Sequence, residues 1–268
     1  MKELSKDLTE VYTHAGIFHA DDVFSTALLN IYCGKLLQVN RVFKLPEDQV
    51  FAYDIGMGKY DHHQVDAEVR ENGVKYAAFG LIWREIGVEI LGSEEAAENF
   101  DYSFVQMIDI ADNTGEKNPV SSIISSFNKN WDEMLVGDIY FHEAVEVAQK
   151  ILEKLFNSIK STLRAEKIVK EYLEKTPEDQ EYVVFDKFAP WQEIIIPTNK
   201  KFAIFPSNRG GYNVQVVPKE FGNPEAKQDL PKEWLDEKPD GCTFVHPGLF
   251  LASFAEIEDA IKAVENIL

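Results

Sequence analysis

The spacing of apolar residues along the first hundred positions alternates between that of strands and that of helices. A short apolar run ends at Tyr12, and runs of strand length follow at 38–43 (QVNRVF) and 49–56 (QVFAYDIG). Between the first two runs, apolar residues recur at helical spacing from Val23 to Ile31. This pattern predicts a strand, a helix and then two further strands.

Local signals predict the ends of that first helix and two more helices after it. Asp21 or Asp22 is placed to cap its start, and Gly34 to end it. Segments 75–91 and 94–110 carry amphipathic patterns, and the second ends in the polar stretch DIADN. Strands that alternate with helices favour an α/β fold with a mainly parallel sheet flanked by helices.

The second half of the chain has a different texture. A long, charged helical pattern covers 141–175, and the segments EYVVFD, EIIIP, KFAIFP and YNVQVVP that follow are strand-like and separated by turn signals. The pattern at 254–268 is typical of an amphipathic helix. We therefore predict an N-terminal domain at 1–136, a helical connector at 137–177 and a smaller α/β domain at 178–268.

The charge balance limits what the protein can bind. The chain has 46 acidic and 27 basic residues, a formal charge of -19, which argues against broad, sequence-independent binding of nucleic acid. Acidic groups that converge locally are nevertheless what a hard divalent cation requires. No apolar run reaches the roughly 20 residues of a membrane span. The distant cysteines Cys33 and Cys242 predict a reducing, cytoplasmic location.

Four groups of histidines and aspartates lie at the predicted ends of strands and helices. The groups are His14, His19, Asp21 and Asp22; Asp54; Asp61, His62 and His63; and Asp109 and Asp112. Sites in open α/β sheets form at the carboxyl ends of the strands, so we expect these side chains to converge. A mixture of carboxylates and imidazoles suits a pair of divalent ions.

Each of these residues also has an ordinary structural interpretation when it is taken alone. An aspartate at the end of a strand, such as Asp54, is usually a turn residue or a cap, and Asp22 is favoured as the helix cap over a ligand. Asp112 precedes the natural helix end formed by Thr114 and Gly115. Four such groups at successive element ends are harder to explain as independent turns. A dinuclear metal site is therefore the favoured hypothesis.

The same residues resemble the motifs of the DHH phosphoesterase superfamily. The motifs are THAGIFHADD, YDIG, YDHHQ and IDIADN, in that order along the chain. Within the superfamily the chain is most similar to the Myg-type family (melanocyte proliferating gene 1), exonuclease-like proteins once called metal-dependent protein hydrolases. The stretches GYNVQVVP, LPKEW and CTFVHPGLF extend the resemblance over nearly the whole chain.

The resemblance implies two divalent metal ions, commonly manganese, with magnesium or cobalt as alternatives. Carried over by position, the metal ligands are His14, His19, Asp21, Asp54, His62 and Asp109, with Asp112 as the neighbouring candidate. Asp54 would bridge the ions, and His63 would face the scissile phosphate as a hydrogen-bond donor or general acid. Asp61 would not bind a metal itself but would orient His62, as carboxylates commonly do for metal-bound histidines. The chain departs from the superfamily at His19, where a carboxylate is typical.

The resemblance also implies that the C-terminal domain contacts the far end of the substrate. Arg209 in SNRGGY and His246 in FVHPGLF are then the candidate substrate-binding residues, together with His63. The preferred function is a 3'-5' exonuclease on RNA or short oligonucleotides that uses two metals and an activated water. The alternatives are a phosphatase acting on pyrophosphate, polyphosphate or a cyclic dinucleotide, and a metal-binding regulatory protein without catalysis. An oligomer is compatible with the sequence.

Overall fold

The structure, a computed structural model, describes residues 2–48, 50–134 and 138–268. The chain divides into two compact units, Met1–Lys160 and Ser161–Leu268. The predicted limit between positions 136 and 137 lies outside the described residues, and the division after position 160 falls inside the segment predicted as a connector.

The first unit combines a small parallel sheet with a larger set of helices. Its elements, in chain order, are β1 (Glu10–His14), α1 (Ala20–Cys33), β2 (Gln38–Val42), α2 (Ala78–Leu91), α3 (Glu94–Phe100), a π-helical turn (Asp101–Val105), α4 (Gln106–Thr114) and α5 (Pro119–Ser125). A long helix, α6 (Ile139–Lys175), begins in this unit and ends in the second. Strands and helices are mixed in both units, which confirms the α/β class.

The sheet of the first unit is smaller than the sequence predicts. β1 and β2 pair in parallel from Glu10 opposite Gln38 to His14 opposite Val42. Position 49 lies outside the described residues, and the rest of the predicted strand, 50–56, contributes only a parallel bridge between Tyr12 and Ala52. Its backbone cannot continue as a strand, because φ is positive at three positions: Asp54, Gly56 and Met57. The chain thus runs beside β1 and then turns sharply at the edge where β1 and β2 also end.

The helices begin and end somewhat differently from the predictions. α1 begins at Ala20, with His19 as its N-cap, so Asp21 and Asp22 lie inside its first turn, and Asp22 closes a capping box with His19 from there. Gly34 ends it with φ +64, as predicted. The helix predicted at 94–110 continues through the π-helical turn and α4 to Thr114, so the whole DIADN stretch is helical.

Aromatic side chains hold α1 against its neighbours. The Phe24 ring lies 5.6 Å from that of Phe79 on α2 and 5.4 Å from that of Phe104 in the π-helical turn, measured between ring centroids. Phe24 and Phe79 are fully buried. Burying such rings is the main stabilising term for this packing. This packing places the start of α1 beside the start of α2, where Asp21 contacts Ala78 and Phe79.

The second unit is built on a five-stranded mixed sheet in the order β3-β4-β5-β7-β6. Its elements are β3 (Tyr182–Val184), α7 (Gln192–Ile195), β4 (Phe202–Pro206), β5 (Tyr212–Val216), a 3-10 turn (Lys232–Leu235), β6 (Cys242–Val245), β7 (Leu251–Phe254) and α8 (Ile257–Glu265). The prediction of a strand at EIIIP was wrong, because this segment forms a helical turn that buries Ile195 beside Trp191.

Side chains alternate between two apolar layers along β4. Phe202 and Ile204 belong to the layer that includes α8, and Ala203 and Phe205 belong to the layer that includes Val169 of α6. This alternation is what a strand buried on both faces requires. Within the described ranges, no helix combines the length and the apolar character needed to cross a membrane.

Candidate metal centre

His14, the last residue of β1, lies beside two carboxylates. Its Nε2 lies 3.3 Å from Oδ2 of Asp22 and 3.3 Å from Oδ2 of Asp54. Its other ring nitrogen, Nδ1, lies 3.1 Å from the carbonyl oxygen of Ala15. A proton on Nδ1 satisfies that carbonyl and leaves Nε2 to bind a cation, the usual arrangement of a metal-binding histidine.

His62 gathers a second set of carboxylates. Its Nε2 lies 3.2 Å from Oδ1 of Asp54, 3.1 Å from Oδ2 of Asp112 and 4.0 Å from Oδ2 of Asp21. The His62 side chain is almost completely buried. A buried group of one imidazole and three carboxylates needs a bound positive charge, either a proton on the imidazole or a metal ion.

Asp54 joins the two sets. Its Oδ2 faces His14 and its Oδ1 faces His62, so one carboxylate serves two separate imidazoles. Its backbone has φ +54, a left-handed conformation that aspartate tolerates better than most residues, and its N–H donates to the carbonyl of Tyr60 at 2.8 Å. The turn after the bridge therefore aims the carboxylate between the two histidines.

Asp21 is fixed by the start of α2. Its Oδ1 accepts from the N–H of Phe79 at 2.7 Å, and its Oδ2 accepts from the N–H of Ala78 at 2.9 Å. α2 has no side-chain cap of its own, since its N-cap residue is Ala77. Asp21 thus supplies from α1 the acceptors that the first turn of α2 lacks.

Asp22 combines a capping role with an unsatisfied oxygen. Its Oδ1 accepts from the N–H of His19 at 2.8 Å, which satisfies one free donor at the start of α1. Its Oδ2 is buried, and among the described residues it has no hydrogen-bond partner. A buried carboxylate oxygen in that state needs a cation. Because this oxygen lies beside His14 Nε2, the site fits a metal ion here.

The DHHQ loop divides its two histidines between the interior and the solvent. His62 is buried in the cluster, whereas 58% of the His63 side chain is exposed. Asp61 was expected to orient His62, but its Oδ1 lies 2.7 Å from His63 Nδ1 and accepts from the His63 backbone N–H at 3.2 Å. The reason is local, because an aspartate in such a turn bonds to the residue two positions later.

The two aspartates of the DIADN stretch have different surroundings. Asp112 approaches His62, and its other oxygen lies 3.5 Å from His19 Nδ1. Asp109 forms an ion pair with Arg70 at 2.7 Å and accepts from the N–H of Gly80 at 3.1 Å. The sequence-based preference for Asp109 as a ligand therefore differs from the geometry. Asp109 is already neutralised by an arginine, whereas Asp112 faces the cluster.

The electrostatic character of the site follows from burial and from these contacts. Burial lowers the pKa of His14, but Asp54 and Asp22 overcome this and raise it to about 9. Burial opposes protonation of His62 in the same way, and Asp112 and Asp54 raise its pKa to about 11. Burial raises the pKa of Asp22 to about 7. The site therefore favours bound positive charge.

The donor set fits hard or borderline divalent ions. Within the described residues, three overlapping sets could each hold an ion: Asp54, His62 and His63; His14, Asp22 and Asp54; and Asp21, His62 and Asp112. All donors are carboxylate oxygens or imidazole nitrogens, which suit manganese, magnesium or cobalt better than a soft metal. Asp54 belongs to two of these sets, as a bridging ligand would.

A cavity of about 710 Å³ opens onto this cluster. Its polar lining residues are His14, His19, Asp54, Asp61, His62, His63, Asp112 and Asn113. Asp21 and Asp22 are buried behind them. The volume lies within the range of about 300–1,000 Å³ that is typical of small-molecule sites.

The predicted substrate contacts of the C-terminal half lie apart from each other. Arg209 is exposed in the β4–β5 turn, and His246 lies in the β6–β7 turn with its ring 4.1 Å from that of Phe250. Because β5 and β7 are antiparallel, with Tyr212 opposite Phe254, these two turns lie at opposite ends of the strands. They cannot both contact the same small group, and each role stays a prediction.

Some features of the site were not evident from the sequence. Asp22 was favoured as a cap over a ligand, although two successive acids in the first turn of a helix project in different directions and can serve two purposes. Arg70, which neutralises Asp109, lies 39 positions before its partner, and no local signal links them. The apolar residues that line the cavity were also missed, since a pattern cannot separate exposed from buried apolar side chains at strand ends.

Comparison with known proteins identifies the family. The MYG1_exonuc family model, described as an uncharacterised protein family (UPF0160), matches residues 10–268. The chain is 26% identical to the MYG1 protein of Dictyostelium discoideum, over 95% of this chain and 94% of that protein. It is 25% identical to the MYG1 exonuclease of Homo sapiens, over 96% of this chain and 85% of that protein.

A bacterial relative extends the comparison beyond eukaryotes. The MYG1 protein of Chlamydia muridarum is 24% identical, over 96% of each chain. No solved structure matches with significance. Since the family model covers nearly the whole sequence, including every residue of the cluster described above, the chain belongs to the MYG1 family, UPF0160.

Proposed function

We propose that this protein is a divalent-metal-dependent phosphoesterase that acts as a 3'-5' exonuclease on RNA or short oligonucleotides. The observation that carries the proposal is the position of Asp54, whose two oxygens face two different histidines. Two-metal phosphoesterases need such a shared carboxylate. The exonuclease names of several relatives, among them the human one, support the reaction class. The four motifs support placement in the DHH phosphoesterase superfamily.

The cluster supplies ligands for two ions. His14, Asp22 and Asp54 would hold one of them. Asp54, His62, Asp21 and Asp112 would hold the other, with His19 beside Asp112. Such a pair, most commonly manganese, supplies an activated water and neutralises charge on the attacked phosphate. In this proposal Asp112 is the ligand in place of Asp109, which is the better match to the fourth motif.

His63 is the side chain that would act on the substrate. Its Nδ1 is occupied by Asp61, which fixes the ring and keeps a proton on that nitrogen. With that proton on Nδ1, Nε2 can donate a hydrogen bond or a proton to a phosphate oxygen when the ring is protonated at both nitrogens. Because the side chain is exposed at the cavity, it can reach a ligand that the buried His62 cannot. General acid catalysis of this kind contributes about 10²–10⁴ in rate.

Removing the shared carboxylate tests the proposal. We expect Asp54→Asn to lose manganese binding, measured by calorimetry, and to lose cleavage of a 5'-labelled oligonucleotide. Asp66→Asn is the matched control, because Asp66 is an exposed aspartate in the loop after DHHQ. An Asp54→Asn variant that cleaved the oligonucleotide as fast as wild type would overturn the mechanism.

A second variant separates metal binding from chemistry. His63→Gln should keep both ions but slow cleavage about 10²-fold or more, as loss of a general acid does. Shortening of the 5'-labelled strand in single-nucleotide steps would establish removal from the 3' end. Hydrolysis of pyrophosphate in preference to every oligonucleotide would favour the small-substrate phosphatase. Tight manganese binding without any hydrolysis would favour a regulatory protein.

A further inference from the structure

Three exposed apolar side chains line the same cavity as the metal-binding cluster. They are Ile17 in the loop after β1, Phe43 directly after β2, and Met57 in the turn after Asp54, with exposed fractions of 71%, 86% and 62%. Large apolar side chains grouped at the opening of a polar cavity mark a binding surface. We call these three residues the apolar rim.

The backbone beneath the rim is held firmly. Ala15 N–H donates to the carbonyl of Val42 at 2.9 Å, and the Arg41 guanidinium donates to the carbonyl of Gly16 at 2.8 Å. A β-carbon at Gly16 would lie 3.8 Å from the Phe43 ring, so that ring lies directly beside the loop. The rim is therefore a pre-organised surface, which lowers the entropy cost of binding.

The third rim residue is tied to the DHHQ loop. Met57 has φ +56, and its backbone N–H donates to Oδ2 of Asp61 at 2.6 Å. The other oxygen of Asp61 holds His63. One carboxylate thus fixes both Met57 and the histidine proposed to face the substrate, so a ligand beside Met57 is also beside His63.

The chemistry of the cavity indicates what the rim binds. No lysine or arginine is found among the described residues that line it. A chain of several phosphates needs basic side chains along its length, and this cavity offers charge only at the metal cluster. Apart from Asn113, the lining outside the histidine–aspartate cluster is apolar. The cavity therefore matches a ligand that has one phosphate, bound at the cluster, and a flat apolar group, bound at the apolar part of the lining.

Resting on the proposed function, we propose that the apolar rim is a nucleobase-binding subsite. An unpaired base of the substrate stacks on Phe43 and contacts Ile17 and Met57, while the scissile phosphate lies at the cluster. Stacking on an aromatic side chain is tolerant of base identity and requires a single strand. The rim thereby selects single-stranded nucleic acid over inorganic polyphosphate and over a paired duplex end.

The test compares two oligonucleotides that differ only at the 3'-terminal residue, one carrying a base and the other abasic. We expect wild type to prefer the base-bearing strand, and Phe43→Ala to raise its KM roughly tenfold or more, which removes the preference. Phe43→Trp should keep it. Leu36→Ala is the matched control, since Leu36 is an exposed apolar residue at the other end of β2 and does not line the cavity.

A binding readout separates this inference from the proposed function. A strand with a phosphorothioate linkage and a terminal 2-aminopurine should lose fluorescence when wild type stacks the base, and Phe43→Ala should abolish that loss. If wild type quenches the base but cleaves no strand, the subsite stands and the exonuclease proposal fails. If Phe43→Ala keeps both the quenching and the preference for the base, the subsite is overturned.

Discussion

Asp109 and Asp112 lie three positions apart on α4, and their chemistry is nevertheless different. Side chains three positions apart on a helix point in directions about 60° apart. Here Asp109 points toward Arg70, and Asp112 points toward His62. Asp109 is fully buried against Arg70, which also binds Asp101 through two hydrogen bonds. Arg70 is the ion-pair partner of Asp109, whereas Asp112 faces the histidines and is the aspartate that we propose as a metal ligand.

Replacing each of these aspartates with asparagine should give opposite results. Asp112→Asn should weaken manganese binding at least tenfold, by comparison with the 10–100-fold effects of residues that merely support a ligand, with little change in melting temperature. Asp109→Asn should keep manganese affinity but lower the free energy of unfolding by about 1–3 kcal/mol, because Arg70 loses a buried acceptor. Calorimetry and thermal denaturation measure the two effects. If Asp109→Asn lost manganese and Asp112→Asn did not, the assignment would be reversed.

The sequence could predict some members of this cluster and not others. His14 and Asp54 end a strand and a strand-like run, and sheet geometry brings such ends together, so their convergence was predictable. The partner of Asp61 depended on a turn conformation that the letters DHHQ do not specify. The choice between Asp109 and Asp112 depended on Arg70, which contacts Asp109 only through the tertiary fold.

The helices of the first unit depend on contacts between their ends as much as on their own sequences. α2 has no cap of its own and receives one from Asp21 on α1, and Gly80 in its first turn lies against the pair formed by Arg70 and Asp109. A β-carbon at position 80 would collide with Asp109 Oδ2 and lie 2.7 Å from Arg70 Nη2. Glycine is required there by close packing and not by backbone conformation.

Gly80→Ala should therefore lower stability, contrary to the usual rule. In a free helix interior this change adds roughly 1 kcal/mol, but displacing a buried ion pair should cost about 1–3 kcal/mol. We expect a net decrease in the melting temperature, measured by circular dichroism. Val88→Ala, on the exposed side of the same helix, is the control and should be close to neutral. A higher melting temperature for Gly80→Ala would contradict this account of the packing.

At the level of elements, the periodic helices were predicted well. The short apolar runs gave a mixed result, because 38–43, EYVVFD, KFAIFP and YNVQVVP contain strands, whereas 49–56 and EIIIP do not. α1, α2 and α8 show sustained helical spacing, and each lies within a few residues of its predicted place. The run at 49–56 does not continue as a strand because the backbone turns at Asp54 and Gly56, where φ is positive. EIIIP failed because a single helical turn buries Ile195 equally well, and a five-residue apolar run cannot distinguish the two.

The net charge of -19 affects the whole molecule, and the described lining of the cavity contains histidines but no lysine or arginine to offset it. A long polyanion should therefore be repelled by the surface until it reaches the proposed metal site. Salt screens this repulsion, since the Debye length falls from about 30 Å at 0.01 M to about 8 Å at 0.15 M. This behaviour is opposite to that of basic nucleic-acid-binding proteins, whose affinity falls with salt.

Steady-state kinetics at a fixed manganese concentration can measure this effect. The KM for a long single strand should fall severalfold as potassium chloride is raised toward physiological ionic strength, because less of the strand is repelled. The KM for a dinucleotide should change little, since most of its length lies inside the cavity. A KM for the long strand that rose with salt would indicate a basic surface contribution that this prediction excludes.

The histidine–carboxylate contacts also mean that protons and metals compete for one site. The pKa of His14 in the folded protein, about 9, lies above its ordinary value of 6.5, so its contribution to stability is complete below pH 6.5 and is lost as the pH rises through about 9. Metal uptake must release this proton and that of His62. Under the proposed function, acidification would therefore displace the metal ions, because His14 and His62 hold protons in the folded metal-free protein.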